Sequence, residues 1–166
     1  RIGAGFDCPM QPGRDRFYDE AVAAQPADAA SVPMPALAPA LMLFTSGTTG
    51  KPKGTVHTHA GCLAQMGKEL LYNLDLQPSD VFFWFSDIGW MMGPWEIFGM
   101  TLLGGTAVLY DGALDYPGPD RLWSLVERHQ VNILGVSPTL VRSLMRHGDE
   151  PVRRHDLSSL RILGST

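Results

Sequence analysis

Five short apolar runs, separated by helical patterns, limit the fold of this chain more than any other feature of its sequence. Continuous apolar runs of this length are typical of strands that are covered on both faces. Strands that alternate with helices through short connections pair in parallel through right-handed crossovers. The sequence therefore predicts an α/β fold with a mostly parallel sheet and alternating helices. The predicted strands are Leu41–Thr45, Val81–Phe85, Thr106–Tyr110, Val131–Val136 and Leu160–Leu163.

Apolar side chains at steps of three and four residues predict the helices between these runs. One helix follows the start signals Pro119 and Asp120. Ser137 followed by Pro138 is typical of an N-cap and the first residue of another helix. A further short helix is expected over about residues 14–24. The longest of the helices, over about residues 60–73, has the apolar stripe Leu63, Met66, Leu70 and Leu74.

The chain divides by composition into two parts. Residues 1–40 are irregular and end in an Ala/Pro-rich stretch that is typical of a surface linker. Residues 41–166 carry the strand and helix patterns and are predicted to form the α/β part. Because the last predicted strand lies at the end of the chain and the chain does not begin with Met, we expect a segment of a larger protein.

The stretch from Ile88 to Tyr110 has the length of a membrane span, and its only charged residue is Glu96. Gly104 and Gly105 divide it into a helical piece and a β-rich piece, and no basic cluster flanks it. We therefore expect a buried helix followed by a buried strand.

Charge and cysteine content narrow the class of protein. The formal net charge of −4 provides no positive field for a nucleic-acid backbone. The 2 cysteines, Cys8 and Cys62, lie far apart and fit neither a disulfide framework nor a zinc site. With no signal-peptide pattern at the start, a cytoplasmic location is expected.

Ligands of parallel α/β sheets bind beyond the carboxyl ends of the strands, and the loop after the first predicted strand has the composition of a phosphate site. Glycines let backbone N–H groups approach an anion, hydroxyls add donors, and lysines add compact positive charge. This set of groups suits a polyphosphate. The spacing excludes the Walker loop, which needs a second glycine five positions after the first, followed by Lys and then Ser or Thr. The residue five positions after Gly47 is Pro52, and the residue five positions after Gly50 is Thr55. The candidate phosphate-binding residues are Thr45, Ser46, Gly47, Thr48, Thr49, Gly50, Lys51 and Lys53.

The decapeptide from Thr45 to Gly54 resembles the phosphate-loop signature of the adenylate-forming (AMP-binding) superfamily, which includes acyl-CoA synthetases, peptide-synthetase adenylation domains and luciferases. Residues 53–59, Asp87–Gly93, Ser137–Thr139 and the last four residues are similar to the acetyl-CoA and short-chain acyl-CoA synthetase branch. The resemblance covers about residues 37–166. It implies that the chain is a partial N-terminal domain of an acyl-CoA synthetase-like fold.

The resemblance also implies a two-step ligase reaction. A carboxylate attacks the α-phosphate of ATP, which gives an acyl-adenylate and pyrophosphate, and the sulfur of coenzyme A then displaces AMP. The phosphate loop is implied to hold the β- and γ-phosphates. Mg²⁺ is implied as well, with its glutamate ligand beyond Thr166, as are the adenylating lysine and the C-terminal domain. This segment alone is therefore expected to be inactive as a ligase.

The same resemblance implies the substrate-binding residues. Met91, Met92 and Thr166 are expected at the acyl end, with Trp90 and His59 close to it. The alternative for the two methionines is a purely structural role, in which both side chains pack in the core. Ser137 is implied to form part of the wall of the pantetheine tunnel, and it also fits a plain helix N-cap. His57 and His59, two residues apart on a predicted strand, would share one face, but a metal pair has no third ligand nearby in sequence.

Two other functions stay open from the sequence. A carboxylate-adenylating domain that delivers its product to a carrier protein would share the first half-reaction. A non-catalytic nucleotide-binding fragment is the alternative from another class. The partners expected for the main hypothesis are a small carboxylic acid, ATP and coenzyme A, with no nucleic acid and no membrane span. The acyl chain length and the oligomeric state are not predicted.

Overall fold

A computed structural model of the chain describes residues 9–45 and 50–165. Contacts divide the chain into two units, one ending at Met34 and one beginning at Pro35. The helices are α1 Tyr18–Ala23, α2 His59–Asn73, α3 Met92–Leu103, α4 Arg121–His129, α5 Pro138–Met145 and α6 Glu150–Arg153. The strands are β1 Pro39–Thr45, β2 Lys53–Thr58, β3 Val81–Trp84, β4 Thr106–Ala107, β5 Ile133–Val136 and β6 Ile162–Ser165.

Four of the predicted runs form one parallel sheet in the order β4-β3-β5-β6. Helices connect its strands, as the alternation of patterns predicts, so the α/β class is confirmed. The strand predicted over Thr106–Tyr110 is shorter than expected and ends at Ala107. The last strand is shifted and runs from Ile162 to Ser165 instead of from Leu160 to Leu163.

The first predicted strand does not belong to the parallel sheet, and that part of the prediction is wrong. Its residues lie in β1, which pairs antiparallel with β2 in a separate hairpin. A parallel crossover needs about a dozen residues or more, and residues 46–52 are too few for it. Nor is β1 covered on both faces, because Met42 is 54% exposed and Phe44 is 66% exposed.

Helices α2 and α3 pack together against one face of the sheet and enclose the first core cluster. A Cβ at Gly99 of α3 would overlap the side chain of Leu70 of α2, so glycine allows the two helices to approach closely. Met66 and Leu70 are buried as the stripe predicts, and Cys62 is buried with them. The prediction is wrong for Leu63, which is 44% exposed, because the buried stripe of α2 runs through Cys62, Met66 and Leu70 at steps of four.

The apolar stretch after Ile88 forms a helix and a strand, as predicted, but the strand is not buried, because Thr106 is exposed and Ala107 is half-buried. Helix α3 is only 12 residues long, and it ends at Gly104, whose φ of 68° is the left-handed conformation that favours glycine at this position. Strand β4 follows at Thr106. Across residues 9–45 and 50–165, no helix combines the length and the apolar character that crossing a membrane requires.

The other face of the sheet carries the second core cluster, in which Leu122, Leu125 and Val126 of α4 pack against Phe83 and Leu134. Helix α4 starts at Arg121, directly after the predicted signals. The predicted N-cap of α5 is confirmed, because the Ser137 hydroxyl accepts the Leu140 N–H at 3.2 Å.

His155 ties the segment after α6 to helix α4 through two carboxylates. Its Nδ1 lies 2.6 Å from Glu127 Oε2, and its Nε2 lies 3.3 Å from Asp120 Oδ2. The hydrogen bond to Glu127, with a smaller one to Asp120, raises the pKa of His155 above its ordinary value. The same contact lowers the pKa of Glu127. The folded state therefore favours an imidazolium between two carboxylates.

We expect His155→Gln to reduce the free energy of unfolding in mildly acidic solution and to lose this effect in alkaline solution. A raised histidine pKa stabilises the fold fully below the ordinary value of about 6.5, and this stabilisation disappears as the pH rises through the folded-state pKa. Urea unfolding at a series of pH values measures the difference from wild type. His147→Gln, at an exposed histidine, is the control. A difference that stays constant with pH would contradict the ion-pair account.

Candidate functional site

The carboxyl edge of the parallel sheet carries a cleft of about 560 Å³ between the ends of β3 and β4. Phe85, Ser86 and Asp87 form one side of the cleft, and Tyr110 and the residues next to it form the other. This is the edge at which ligands of parallel α/β sheets bind.

Glu96 lines the cleft on the side of helix α3 and is only 2% exposed. Its Oε1 accepts the backbone N–H of Trp84 at 3.0 Å. Burial raises the pKa of the Glu96 carboxyl to about 7, and the hydrogen bond from Trp84 offsets part of that rise. A carboxyl group that titrates near neutrality therefore holds the last residue of β3.

The segment from Asp87 to Met92 turns the chain from β3 into α3. Asp87 Oδ1 accepts the Gly89 N–H at 2.7 Å, and the Asp87 carbonyl accepts the Trp90 N–H at 3.0 Å. Trp90 is 67% exposed at the tip of this turn. Met91 and Met92 are half-buried and pack against the first core cluster, which includes Trp84 and Trp95.

The candidate phosphate loop connects the two strands of the hairpin and does not follow a parallel strand. Thr45 is opposite Lys53 in the register, and the Thr45 hydroxyl donates to the Lys53 carbonyl at 3.5 Å. Gly50 has a φ of 148°, within the range that favours glycine. Lys51 and Lys53 are exposed. Ser46, Gly47, Thr48 and Thr49 lie outside the described residues.

The remaining predicted residues lie at the starts of helices or outside the described chain. Ser137 follows β5, and its hydroxyl caps α5. His59 is half-buried as the first residue of α2, and its N–H donates to the Ala38 carbonyl at 3.1 Å. His57 lies on β2, so the expectation that both histidines share the face of one strand is wrong. Thr166 is not among the described residues.

Sequence reasoning missed two residues of the carboxyl edge, Trp84 and Glu96. In the sequence, Trp84 is one residue of an apolar run and Glu96 is the one charge in an apolar stretch, so neither stands in a pattern that indicates a site. A signal for Trp84 was present in Gly135 and Gly164, because glycine inside a strand often marks a close approach by another group. A lone charge in a helix that is otherwise apolar is the corresponding signal for Glu96.

Comparison with known proteins identifies the class to which this fold and edge belong. The sequence profile of the family described as AMP-binding enzyme matches residues 7–166. The chain therefore belongs to the AMP-binding enzyme family, as the phosphate-loop resemblance predicts.

Within that family, the chain is similar to acetyl-coenzyme A synthetases. It is 43% identical to that of Rhodopirellula baltica over 97% of this chain and 24% of the relative. It is also 43% identical to that of Pyrobaculum aerophilum, over 96% of this chain and 24% of the relative. The solved structure of acetoacetyl-CoA synthetase from Streptomyces lividans superposes with a TM-score of 0.78 at 36% identity, over 88% of this chain and 22% of that one. The chain thus spans about a quarter of the length of these relatives.

We expect Glu96→Gln to be more stable than wild type above neutral pH and to have no such advantage in acid. Because the folded-state pKa of about 7 lies above the ordinary value of 4.5, wild-type stability falls as the pH rises between these values. Glutamine stays neutral and keeps an oxygen that can accept the Trp84 N–H. Chemical unfolding of both proteins between about pH 4 and pH 9 measures the two curves. Curves that run parallel over this range would show that Glu96 does not titrate as its burial implies.

Proposed function

We propose that the full-length protein containing this chain is an AMP-forming acyl-CoA synthetase of the cytoplasm. It activates a small carboxylic acid with ATP to an acyl-adenylate and transfers the acyl group to coenzyme A. The observation that carries this proposal is the identity of 43% to acetyl-coenzyme A synthetases over nearly the whole chain. The carboxyl-edge cleft and the lysine-bearing hairpin turn support it in chemical terms.

In this proposal the hairpin turn holds the β- and γ-phosphates of ATP. Its residues are Thr45, Ser46, Gly47, Thr48, Thr49, Gly50, Lys51 and Lys53. Backbone N–H groups and lysines stabilise the dense negative charge that develops as pyrophosphate departs. The exposure of Lys51 and Lys53 supports this role, because an exposed ammonium group can meet a ligand without first breaking a core contact.

The acyl group and the pantetheine arm are proposed to bind around the start of α3 and the end of β5. Met91, Met92 and Thr166 contact the acyl end, with Trp90 and His59 close to it. Ser137 lines the pantetheine path. The half-buried position of Met91 and Met92 supports a lining role, because their flexible thioether side chains can adapt to a small apolar group.

Mg²⁺ accompanies ATP in the proposed reaction, but the described part of the chain contains no group of three His, Cys, Asp or Glu side chains that could hold it. In this proposal the ligands of the ion come from outside these residues. What this chain contributes is the positioning of phosphates and acyl group.

The reaction products test the proposed function directly. The full-length protein, incubated with ATP, coenzyme A and acetate or another short aliphatic acid, should release AMP and pyrophosphate in proportion to thioester. Omitting coenzyme A should leave carboxylate-dependent exchange of pyrophosphate into ATP. Exchange without any thioester on coenzyme A would favour transfer to a carrier protein, and no exchange with any acid would refute the adenylation chemistry.

We expect Lys53→Ala in the full-length protein to slow adenylate formation about 10²–10³-fold, because it removes a positive charge that meets the departing phosphates. Binding of the carboxylate should change little, because a contact that strengthens only in the transition state lowers the reaction barrier without tightening substrate binding. Single-turnover adenylation at saturating ATP measures the rate. Lys68→Ala, at an exposed lysine of α2, is the matched control. Equal adenylation rates for Lys53→Ala and Lys68→Ala would contradict this role and show that Lys53 is an ordinary surface charge.

A further inference from the structure

The side chain of Glu96 takes the place of a strand where β3 and β4 separate. Alternate residues of a parallel strand direct their backbone groups to the same neighbouring strand. The Phe82 carbonyl accepts the Val108 N–H at 2.8 Å on the β4 side, so the N–H of Trp84, two residues farther along, points to that side as well. Strand β4 ends at Ala107, and the Trp84 N–H donates to Glu96 Oε1 at 3.0 Å instead.

The carboxyl-edge cleft opens at this point, and the Glu96 carboxyl holds the end of β3 on the cleft side. On the opposite side the Phe85 N–H donates to the Gly135 carbonyl of β5 at 3.0 Å. A buried N–H without an acceptor is unfavourable, so the Trp84 N–H keeps the end of β3 and helix α3 together only while Glu96 offers an oxygen.

The turn between β3 and α3 has little freedom apart from this bond. A Cβ at Gly93 would lie 2.5 Å from Cα of Ile88, so the start of α3 lies directly against the turn. Met92 lies one helical turn before Glu96, and residues four apart share a face of a helix. A displacement of Glu96 from the end of β3 would therefore move Met91 and Met92 as well.

We propose that Glu96 is a positioning residue for the carboxylic acid substrate, because its carboxyl fixes the end of β3 against α3 and thereby fixes the turn that carries Met91 and Met92. This inference rests on the proposed acyl-CoA synthetase activity. Glu96 acts through the backbone of Trp84 and through the turn, and it needs no contact with the substrate.

The charge of Glu96 changes near neutrality, because burial raises the pKa of its carboxyl to about 7. Ionisation of a buried carboxyl is unfavourable, and the charged form gains by moving toward water in the cleft. That movement loosens the hold on β3. The other titratable or charged groups on the surrounding elements are Asp87 after β3, Tyr110 and Asp111 after β4, Arg121 of α4 over the Tyr110 ring, and Glu69 of α2, which accepts the Trp95 indole N–H.

Asp87 and Asp111 are exposed, so solvent screens their charges. Glu96 is shielded from solvent, and its ionisation is the one that acts directly on the end of β3.

The test compares wild type, Glu96→Leu and Glu96→Gln in the full-length protein, with saturating ATP and coenzyme A and the short aliphatic acid that wild type uses best. Leucine is similar in size but offers no acceptor. We expect kcat/KM for the acid to fall about 10–100-fold at about pH 6, mainly through KM, because the turn is misplaced. Glutamine keeps an oxygen acceptor and should restore most of this loss.

The pH profile separates positioning from a purely structural role. Between about pH 6 and pH 8.5 the wild-type KM for the acid should rise at least about fivefold as Glu96 ionises, whereas the KM of Glu96→Gln should stay level. His155→Gln is the matched control, because His155 also has a shifted pKa but is not among the residues that line the cleft. It should change stability and keep the wild-type KM profile.

The outcomes separate this inference from the proposed function. A wild-type protein that activates no acid refutes the function itself. An active wild type whose KM profile runs parallel to that of Glu96→Gln overturns the role of Glu96, and this comparison holds even if Glu96→Leu does not fold. A folded Glu96→Leu with the wild-type KM also overturns it. So does a level profile in His155→Gln, because a general effect of pH on stability would then explain the change.

Discussion

The contact between one indole ring and two glycines organises the carboxyl edge of the parallel sheet. Trp84 spans three strands of the parallel sheet, since it belongs to β3 and covers Gly135 and Gly164. Close packing of this kind makes a core sensitive to changes of even one methylene. The same residue receives support from α3, because Glu96 accepts its backbone N–H and Trp95 packs against its ring. The start of α3 and the ends of the strands are therefore held in one arrangement.

Much of the fold could be predicted from the sequence because the chain alternates local patterns that have few other solutions. The run at Val81–Phe85 is apolar throughout, and Asn132 is the one polar side chain in Val131–Val136; short runs of this kind are typical of strands covered on both faces. The apolar pattern does not predict the hairpin, because a short apolar run looks the same in a parallel strand and in an antiparallel one. The few residues between Thr45 and Lys53 were the usable signal, since they leave no room for a crossover.

The candidate site has two parts. Residue types in the sequence indicate the first part, and the second part forms only when the strands pair in the observed register. Glycines, hydroxyls and lysines next to each other predict a phosphate site in the turn after Thr45 without any knowledge of the fold. Trp84 and Gly135 are far apart in sequence, and their contact depends on strand pairing that no local pattern specifies. Glu96 likewise acquires its raised pKa only because α3 covers the end of β3. The similarity to acetyl-coenzyme A synthetases supports the proposed chemistry, and the register shows which side chains meet beneath the carboxyl edge.

A double-mutant cycle with Trp84→Leu, Gly135→Ala and their combination, measured by urea unfolding, tests the central claim most directly. The account predicts that Gly135→Ala is less destabilising in the Trp84→Leu background, with a coupling free energy of about 0.5–3 kcal/mol, because the ring that the new methyl group would overlap is gone. Additive effects of the two substitutions would contradict it.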